Sequence, residues 1–217
     1  MLSQRREQRG FGAMRGKARG FLVTLAVAVF LGASANGAGL VSLFDGKSLD
    51  GWVAVATDHF VVRNGVIAND GGTGWLRGAR LYKDFELHAE YRVVRPGSDS
   101  GLFFRASAES TPRPPNWPVR GYQLQVIDGE GQLMLFGHGT PVKFDRKGDA
   151  LKAVMKGPGE WQTLVLKVVG RRAEVSLNGT LITVSNEISL SEGHIGLQGK
   201  NGQFEWRALS IKELPPH

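Results

Sequence analysis

Alternation of apolar and polar residues, broken by turn signals about every ten residues, constrains the fold of this chain most strongly. In the stretch FELHAEYRVV, residues 85–94, every second residue is apolar: Phe85, Leu87, Ala89, Tyr91 and Val93. Residues two apart lie on the same face of a strand, so this pattern predicts a half-buried strand. Ranges 161–170, 171–179 and 203–214 alternate in the same way, and in the last of them Phe204, Trp206 and Ala208 share the apolar face. The spacing predicts an all-β sandwich or barrel.

Turn residues support the same fold class. Asn64-Gly65 and Asn178-Gly179 lie between β-rich flanks, and Asn-Gly is the strongest short hairpin signal. Gly170 separates two further strands as a hairpin turn. Glycine makes up 30 of 217 residues, about 14% against a usual ~7%, which suits a chain with many turns. Residues 147–158 are predicted to hold one or two helical turns.

The N-terminal region has the features of an export signal. A run of 13 apolar residues at 21–33 follows a basic segment and overlaps Ala33-Ser34-Ala35, a small-x-small cleavage pattern. The run falls short of the ~20 residues that a membrane span needs. We therefore expect a signal peptide over residues 1–35 and a single periplasmic or secreted domain over residues 36–217. Met14 is an alternative start, and a short uncleaved membrane anchor is the alternative interpretation.

Charge and cysteine content limit the binding partners and the chemistry that the chain can have. Residues 1–35 hold six of the 27 Lys and Arg and one of the 20 Asp and Glu, so 21 basic and 19 acidic residues remain, a net charge of +2. A domain so nearly neutral has no basic footprint for nucleic acid. The chain has no Cys, which excludes disulfides and thiolate chemistry. No stable membrane span is expected after signal cleavage.

Polar residues on the predicted strands suggest a sugar-binding groove. Amide and guanidinium groups suit hydroxyls that both donate and accept hydrogen bonds. The outward-facing candidates, which we expect to surround a single saccharide-sized hollow, are Glu90, Arg105, Gln123, Gln125 and Gln198. The alternative is that these side chains belong to ordinary solvated strand faces.

Aromatic and titratable residues near turns supply further candidates. The proline-rich stretch 106–121 contains Trp117 and leads into Tyr122, and loops of this length are usually functional or disordered. The two aromatic residues predict either a stacking platform for a sugar ring or a small satellite core. His138, between two glycines, is a candidate general base because imidazole titrates near neutrality. Asp45 and Asp50 are possible Ca²⁺ ligands, with turn formation as the alternative, so we expect no cofactor but leave a divalent metal open.

Several stretches together resemble one family. SLFDGKSLDGW, RNGVIANDGGTGWL, YKDFELHAEYRV followed by DSGLFFR, GYQLQVID, GEWQTL and GHIGLQGKNGQFEWRALSIKEL are similar to motifs of the 3-keto-disaccharide hydrolase domain family. The resemblance runs from about residue 40 to residue 214. It implies a concanavalin-A-like jelly-roll sandwich of two antiparallel sheets. It also implies cleavage of glycosides that carry a ketone at sugar carbon 3.

The sequence departs from the family pattern at three positions. Gln123 replaces a Glu, Asp99 replaces an Asn, and Lys200 stands where the pattern has a His. The resemblance leaves Glu90 or Asp128 as acid/base, with His138 as a substitute. Arg105 and Lys200 would polarise the keto oxygen, while Gln123, Gln125 and Gln198 would orient hydroxyls. Because Gln123 is neutral, a non-catalytic carbohydrate-binding module is the main alternative, and a cell-envelope interaction protein is a third.

Overall fold

The computed structural model of the protein describes residues 39–215 as two antiparallel β-sheets that pack face to face. The larger sheet has, in spatial order, β10 (Asp145–Arg146), β13 (Thr180–Ser185), β12 (Arg172–Leu177), β11 (Gln162–Val169), β6 (Phe85–Val93), β15 (Phe204–Glu213), β4 (Val66–Asn69) and β3 (Phe60–Arg63), with β1 (Val41–Ser42) also paired to β15. The smaller sheet has β2 (Trp52–Val55), β5 (Thr73–Tyr82), β14 (Gly193–Lys200), β7 (Asp99–Ala106), β8 (Gly121–Ile127) and β9 (Leu135–His138). The predicted signal peptide lies outside the described residues.

The core forms where the apolar faces of both sheets meet. In β6 the predicted alternation is confirmed, because Phe85, Leu87, Ala89, Tyr91 and Val93 are buried and the residues between them are half-buried. Leu124 and Val126 of β8 join the same core from the smaller sheet. Two layers that each bury one face account for the period of two in the sequence.

The predicted hairpins and the short helix are confirmed. Asn64-Gly65 joins β3 to β4 and Asn178-Gly179 joins β12 to β13, with all four φ angles positive. Positive φ at both central residues defines the turn that matches strand twist. The helix α1 spans Gly148–Val154. Within residues 39–215, no helix is both long and apolar enough to cross a membrane.

The alternation predicted for β15 is wrong in its second half. The register with β6 shifts between Arg207 and Ser210, and Ala208 has a φ of 50°. Such a β-bulge reverses the inside–outside order beyond it. Leu209 is therefore buried and Ala208 exposed, opposite to the prediction.

Candidate functional site

A polar cluster lies on the outer face of the smaller sheet, where strands β14, β7 and β8 run side by side. Gln198 comes from β14, while Gln123 and Gln125 come from β8. Strand β7 separates them, so β14 and β8 are two strand spacings apart, about 9.6 Å. The amides can meet only if the side chains from β7 leave room between them.

Gly101 of β7 leaves that room. A Cβ placed on Gly101 would lie 3.0 Å from Cγ and Nε2 of Gln123 and 3.0 Å from Oε1 of Gln198. The amides of Gln123 and Gln198 consequently bond each other directly above this glycine. Nε2 of Gln198 donates to Oε1 of Gln123 at 3.0 Å, and Nε2 of Gln123 donates back to Oε1 of Gln198 at 3.3 Å.

A chain of hydrogen bonds continues from this amide pair to a charged pair. Nε2 of Gln123 donates to Oε1 of Gln125 at 2.5 Å, and Nε2 of Gln125 donates to Oδ1 of Asp99 at 2.6 Å. Nζ of Lys200 lies 2.6 Å from the other oxygen, Oδ2 of Asp99. The carboxylate thus ends the amide chain on one side and holds the ammonium group on the other.

At its opposite end the chain of hydrogen bonds reaches His138. Nε2 of His138 lies 3.0 Å from Oε1 of Gln123. Burial lowers the pKa of His138 below its ordinary value of 6.5, because a low-dielectric environment disfavours the imidazolium. The imidazole is therefore neutral at neutral pH, which is the form that can accept a proton.

A folded-back hairpin supplies the aromatic wall of the site. Residues 107–120, which we call the 107–120 hairpin, extend β7 and β8 through paired backbone arms. The hairpin crosses β14 to β5, where the indole of Trp75 donates to Oγ of Ser110 and the carbonyl of Pro115 accepts from the N–H of Gly74. Trp117 of this hairpin lies near Phe103, with ring centroids 6.4 Å apart.

Trp117 lies beside both ends of the hydrogen-bond chain. Its ring centroid is 6.1 Å from that of His138, at right angles, and Nζ of Lys200 is 5.8 Å from it. The indole N–H donates to the carbonyl of Gly199 at 3.3 Å. The site thus combines an aromatic ring, a neutral imidazole and an ammonium group.

Burial divides the cluster into a closed floor and an accessible rim. Gln198 is fully buried, and Gln123 and Gln125 are 4% and 7% exposed. The amide of Gln123 already uses both of its donors and accepts twice, so it has no capacity left for a hydroxyl. The side chain of Lys200 is 41% exposed, and Trp117 and His138 are partly exposed. The accessible rim of the cluster therefore consists of Trp117, His138 and Lys200, and the hydrogen-bonded amides form its closed floor.

Arg105 is not part of this cluster, which corrects its predicted place in a shared hollow. A φ of 44° at Arg105 breaks the alternation of β7, and the guanidinium points to the end of the sandwich. It donates to the carbonyls of Lys83, Gly170 and Leu190 and to the carboxylate of Asp84, with Nη2–Oδ1 at 2.9 Å. Its side chain is 1% exposed, so Arg105 braces three turns.

Glu90 is also misplaced by the prediction, because it lies on the other sheet. It projects from the outer face of β6, where its Oε2 accepts from Nε of Arg207 at 2.6 Å. The guanidinium of Arg207 in turn lies 3.9 Å from the ring centroid of Trp161. Alternation identifies an outward residue but not the sheet that carries it.

Tyr122 and Asp128 lie away from the amides as well. Tyr122 points into the core, where its ring stacks on Phe104 and its hydroxyl accepts from the N–H of Ser189 at 2.7 Å. Asp128 follows the end of β8, and its Oδ2 accepts from the N–H of Gly97 at 2.9 Å. Of the two aromatic residues predicted as a stacking platform, the structure brings only Trp117 to the cluster.

Asp99 and Phe103 were missed as site residues, although a signal was present. Both alternate with Gly101 along DSGLFFR, and β7 pairs with β8 so that Gly101 faces Gln125 and Phe103 faces Gln123. The departure of Asp99 from the family's Asn was a further pointer. Asp45, by contrast, accepts from the N–H groups of Lys47 and Ser48, as expected of a turn former. Within residues 39–215, no three His, Asp or Glu side chains cluster as metal ligands.

Two antiparallel sheets with a polar cluster on the smaller one define a jelly-roll β-sandwich of the concanavalin A type, as predicted. The carbohydrate-binding module CBM66 from Bacillus subtilis matches 75% of this chain and 96% of its own, with a TM-score of 0.57 and 15% identity. A β-glucanase from Bacillus licheniformis matches 83% of this chain and all of its own, with a TM-score of 0.54 and 9% identity. Likeness at such identities shows the fold alone.

The chain belongs to the family of 3-keto-alpha-glucoside-1,2-lyase-like domains, whose profile matches residues 39–212. A 3-keto-disaccharide hydrolase from Bacteroides thetaiotaomicron is 33% identical over an alignment of 81 residues, and the match covers 31% of this chain and 28% of that protein. The chain therefore matches less than a third of that relative's length. The family resemblance noted in the sequence is confirmed.

Proposed function

We propose that this protein cleaves glycosides that carry a ketone at sugar carbon 3, at the outer face of the smaller sheet. Family membership supports the substrate class. The observation that carries the proposal is the geometry around Trp117, where a neutral imidazole and an ammonium group each lie about 6 Å from one aromatic ring, at 6.1 and 5.8 Å. A sugar ring stacked on Trp117 would have a base on one side and a cation on the other.

The chemistry requires those two groups. A ketone at carbon 3 acidifies the hydrogen on carbon 2, so a base can remove it and leave an enolate. The electron pair of the enolate then forms the C1–C2 double bond as the C1–O bond breaks, and the departing oxygen takes up a proton. Addition of water across that double bond completes a net hydrolysis. No electrons are gained or lost overall, so the reaction needs no redox cofactor.

Three residues of the rim fit the roles that this reaction defines. Neutral His138 removes the carbon 2 proton, a step that a positioned base typically accelerates ~10²–10⁴-fold. Lys200 stabilises the enolate oxygen, since an ammonium has three donors and Asp99 accepts from one. Trp117 packs against the apolar face of the sugar ring.

The cellular location follows as part of the proposal. The apolar run at 21–33 with its basic flank supports export, so we propose that the domain works in the periplasm or after secretion. A saccharide is then the proposed partner, and the reaction uses no nucleotide or phosphate donor.

The test is turnover of 3-keto-trehalose by the purified protein, with and without EDTA, followed by chromatography of the products. We expect the oxidised sugar to be cleaved and plain trehalose to remain intact. Replacing His138 by Gln should lower kcat on the order of 10²-fold. His88→Gln is the matched control, because His88 lies on the outer face of the larger sheet, bonded to Glu86 at 2.7 Å. Equal losses in both variants would contradict the proposed base.

A saccharide-binding function without turnover is the second candidate. The observation that favours it is the amide at position 123, since the carboxylate nearest the site, Asp99, is already paired with Lys200. Calorimetry with the same sugar separates the two functions. Saturable binding that Trp117→Ala weakens, with no product after prolonged incubation, would identify a binding module.

A further inference from the structure

We propose that Asp99 selects which ring nitrogen of His138 carries the proton, acting through the amides of Gln125 and Gln123. Asp99 is then a positioning residue, three hydrogen bonds away from the imidazole. Its effect on the proton position is independent of turnover, whereas its effect on rate rests on the proposed function.

The first step is fixed by the chemistry of a carboxylate. Ionised Asp99 can only accept hydrogen bonds, so Gln125 must present its NH₂ group to it, as it does at 2.6 Å. The carbonyl oxygen of Gln125 consequently faces the other way, toward Gln123. Rotating that amide would place two oxygens against each other at Asp99.

The orientation then passes to the imidazole. The oxygen of Gln125 requires the NH₂ group of Gln123, which lies 2.5 Å away. The oxygen of Gln123 therefore points to Nε2 of His138, at 3.0 Å. An oxygen acceptor there requires a proton on Nε2, so the neutral ring keeps the lone pair on Nδ1. Gln198 does not oppose this order, because it donates to the same oxygen of Gln123.

The consequence for the site is a defined basic atom. With the proton held on Nε2, Nδ1 is the nitrogen that accepts a proton from substrate. The opposite tautomer would offer an N–H there and could not act as a base. Burial also keeps the ring neutral by lowering the pKa of His138, so the tautomer rather than the charge decides its function at neutral pH.

In Asp99→Asn, Lys200 determines which way the new amide group at position 99 faces. Nζ of Lys200 lies 2.6 Å from Oδ2 of Asp99, and hydrogen bonds to charged groups are roughly twice as strong as neutral ones. An Asn at this position would turn its single oxygen to Lys200 and its NH₂ group to Gln125. The amides of Gln125 and Gln123 would then rotate, Gln198 would rotate with Gln123 because the two amides bond each other reciprocally, and Gln123 would present N–H to Nε2 of His138. The proton would move to Nδ1.

A second substitution should reverse the switch. In Asp99→Asn combined with Gln123→Glu, the new carboxylate at position 123 accepts from both Gln125 and His138. Nε2 of His138 is again protonated, although the amide order at position 99 stays inverted. A structural defect at position 99 would not be repaired in this way, because among residues 39–215 the hydrogen bonds that link the two positions run through Gln125.

The experiment records the ¹⁵N–¹H correlations of the imidazole side chains at a pH above the pKa of His138, and His138→Gln identifies its signal. We expect Nε2–H in the wild type, about tenfold less of it in Asp99→Asn, and recovery in the double variant. Asp128→Asn, which removes a carboxylate outside the amide chain, should keep Nε2–H. A wild type protonated on Nδ1, or an Asp99→Asn spectrum like that of the wild type, would overturn the proposal.

Turnover provides the second arm. Asp99→Asn should lower kcat on 3-keto-trehalose by about the same tenfold, with a smaller change in KM. Gln123→Glu should restore kcat at a pH high enough to keep the imidazole neutral, because the new carboxylate raises the pKa of His138. If the spectra follow the expected order while no variant turns the sugar over, the tautomer control stands and the proposed function fails. If Asp99→Asn does not fold, the wild-type spectrum and Gln125→Met, which breaks the chain of hydrogen bonds and should mix the tautomers, decide the proposal.

Discussion

Replacing Gly101 by Ala tests whether the amides truly meet across β7. The φ angle of Gly101 is not in the left-handed region, so Ala is compatible with the backbone. Where Ala fits without strain, replacing Gly by Ala usually raises the free energy of unfolding by ~0.4–1 kcal/mol, because it reduces the conformational entropy of the unfolded chain. At Gly101 the new methyl group would lie 3.0 Å from atoms of both Gln123 and Gln198, so these side chains must move by a few tenths of an ångström, and we expect that movement to separate the amides.

The expected cost follows from what the separated amides lose. Two hydrogen bonds at ~1 kcal/mol each are broken, and Gln198, which is fully buried, cannot replace them with water. An unsatisfied buried amide costs ~1–3 kcal/mol. After the entropic gain, we expect a net destabilisation of about 2–4.6 kcal/mol, or a Tm lowered by roughly 4–18 °C for a domain of this size.

Urea unfolding followed by tryptophan fluorescence measures the change. Gly148→Ala is the matched control, because Gly148 begins α1 and its added Cβ would meet no atom within 4 Å. We expect Gly148→Ala to be as stable as the wild type or more stable. If Gly101→Ala matches that control, the amide pair above β7 does not exist in solution and the hydrogen-bond chain to His138 is refuted with it.

Three further predictions concern residues inside and outside the site. Because the pKa of His138 is lowered from 6.5, the folded state should lose stability as pH falls below about 6.5, and His138→Gln should flatten that part of a urea-midpoint profile. Arg105→Met should lower the free energy of unfolding by ~3–5 kcal/mol in the same assay, since it breaks a buried ion pair with Asp84. Arg105→Lys should lower it by less, because the charge is kept. Glu90→Gln should leave kcat on the oxidised sugar within about twofold and cost no more than ~1 kcal/mol, as expected of a partly exposed ion pair; a tenfold loss of kcat would return Glu90 to the site.

The fold could be predicted because its signals are local. Alternation in β6 and the Asn64-Gly65 and Asn178-Gly179 turns depend on neighbours within a few residues. The order of strands in each sheet depends on pairings far apart in the chain, such as β6 with β15 and β14 with β5. The sequence pattern contains no comparable signal for those pairings, so the family resemblance carried that part of the prediction.

The site was predicted only in part, for the same physical reason. Gln123, Gln125 and Gln198 were found because strict alternation holds where they lie. Arg105 itself has a positive φ, which no periodicity can anticipate in a residue other than glycine. Glu90 obeys the alternation but belongs to the other layer. Polar residues on strands therefore needed the sheet assignment before they could be grouped.

The 107–120 hairpin separates the aromatic part of the site from the hydrogen-bonded amides. It begins and ends in the smaller sheet, yet it is fastened across β14 by Ser110 and Pro115 and contributes Trp117 to the rim. The hydrogen-bonded amides belong to the strands themselves. Under the proposed function, a graft that exchanges this hairpin for one of another length and aromatic content should change which sugars fit, while the amides of Gln123, Gln125 and Gln198 keep their places on β8 and β14.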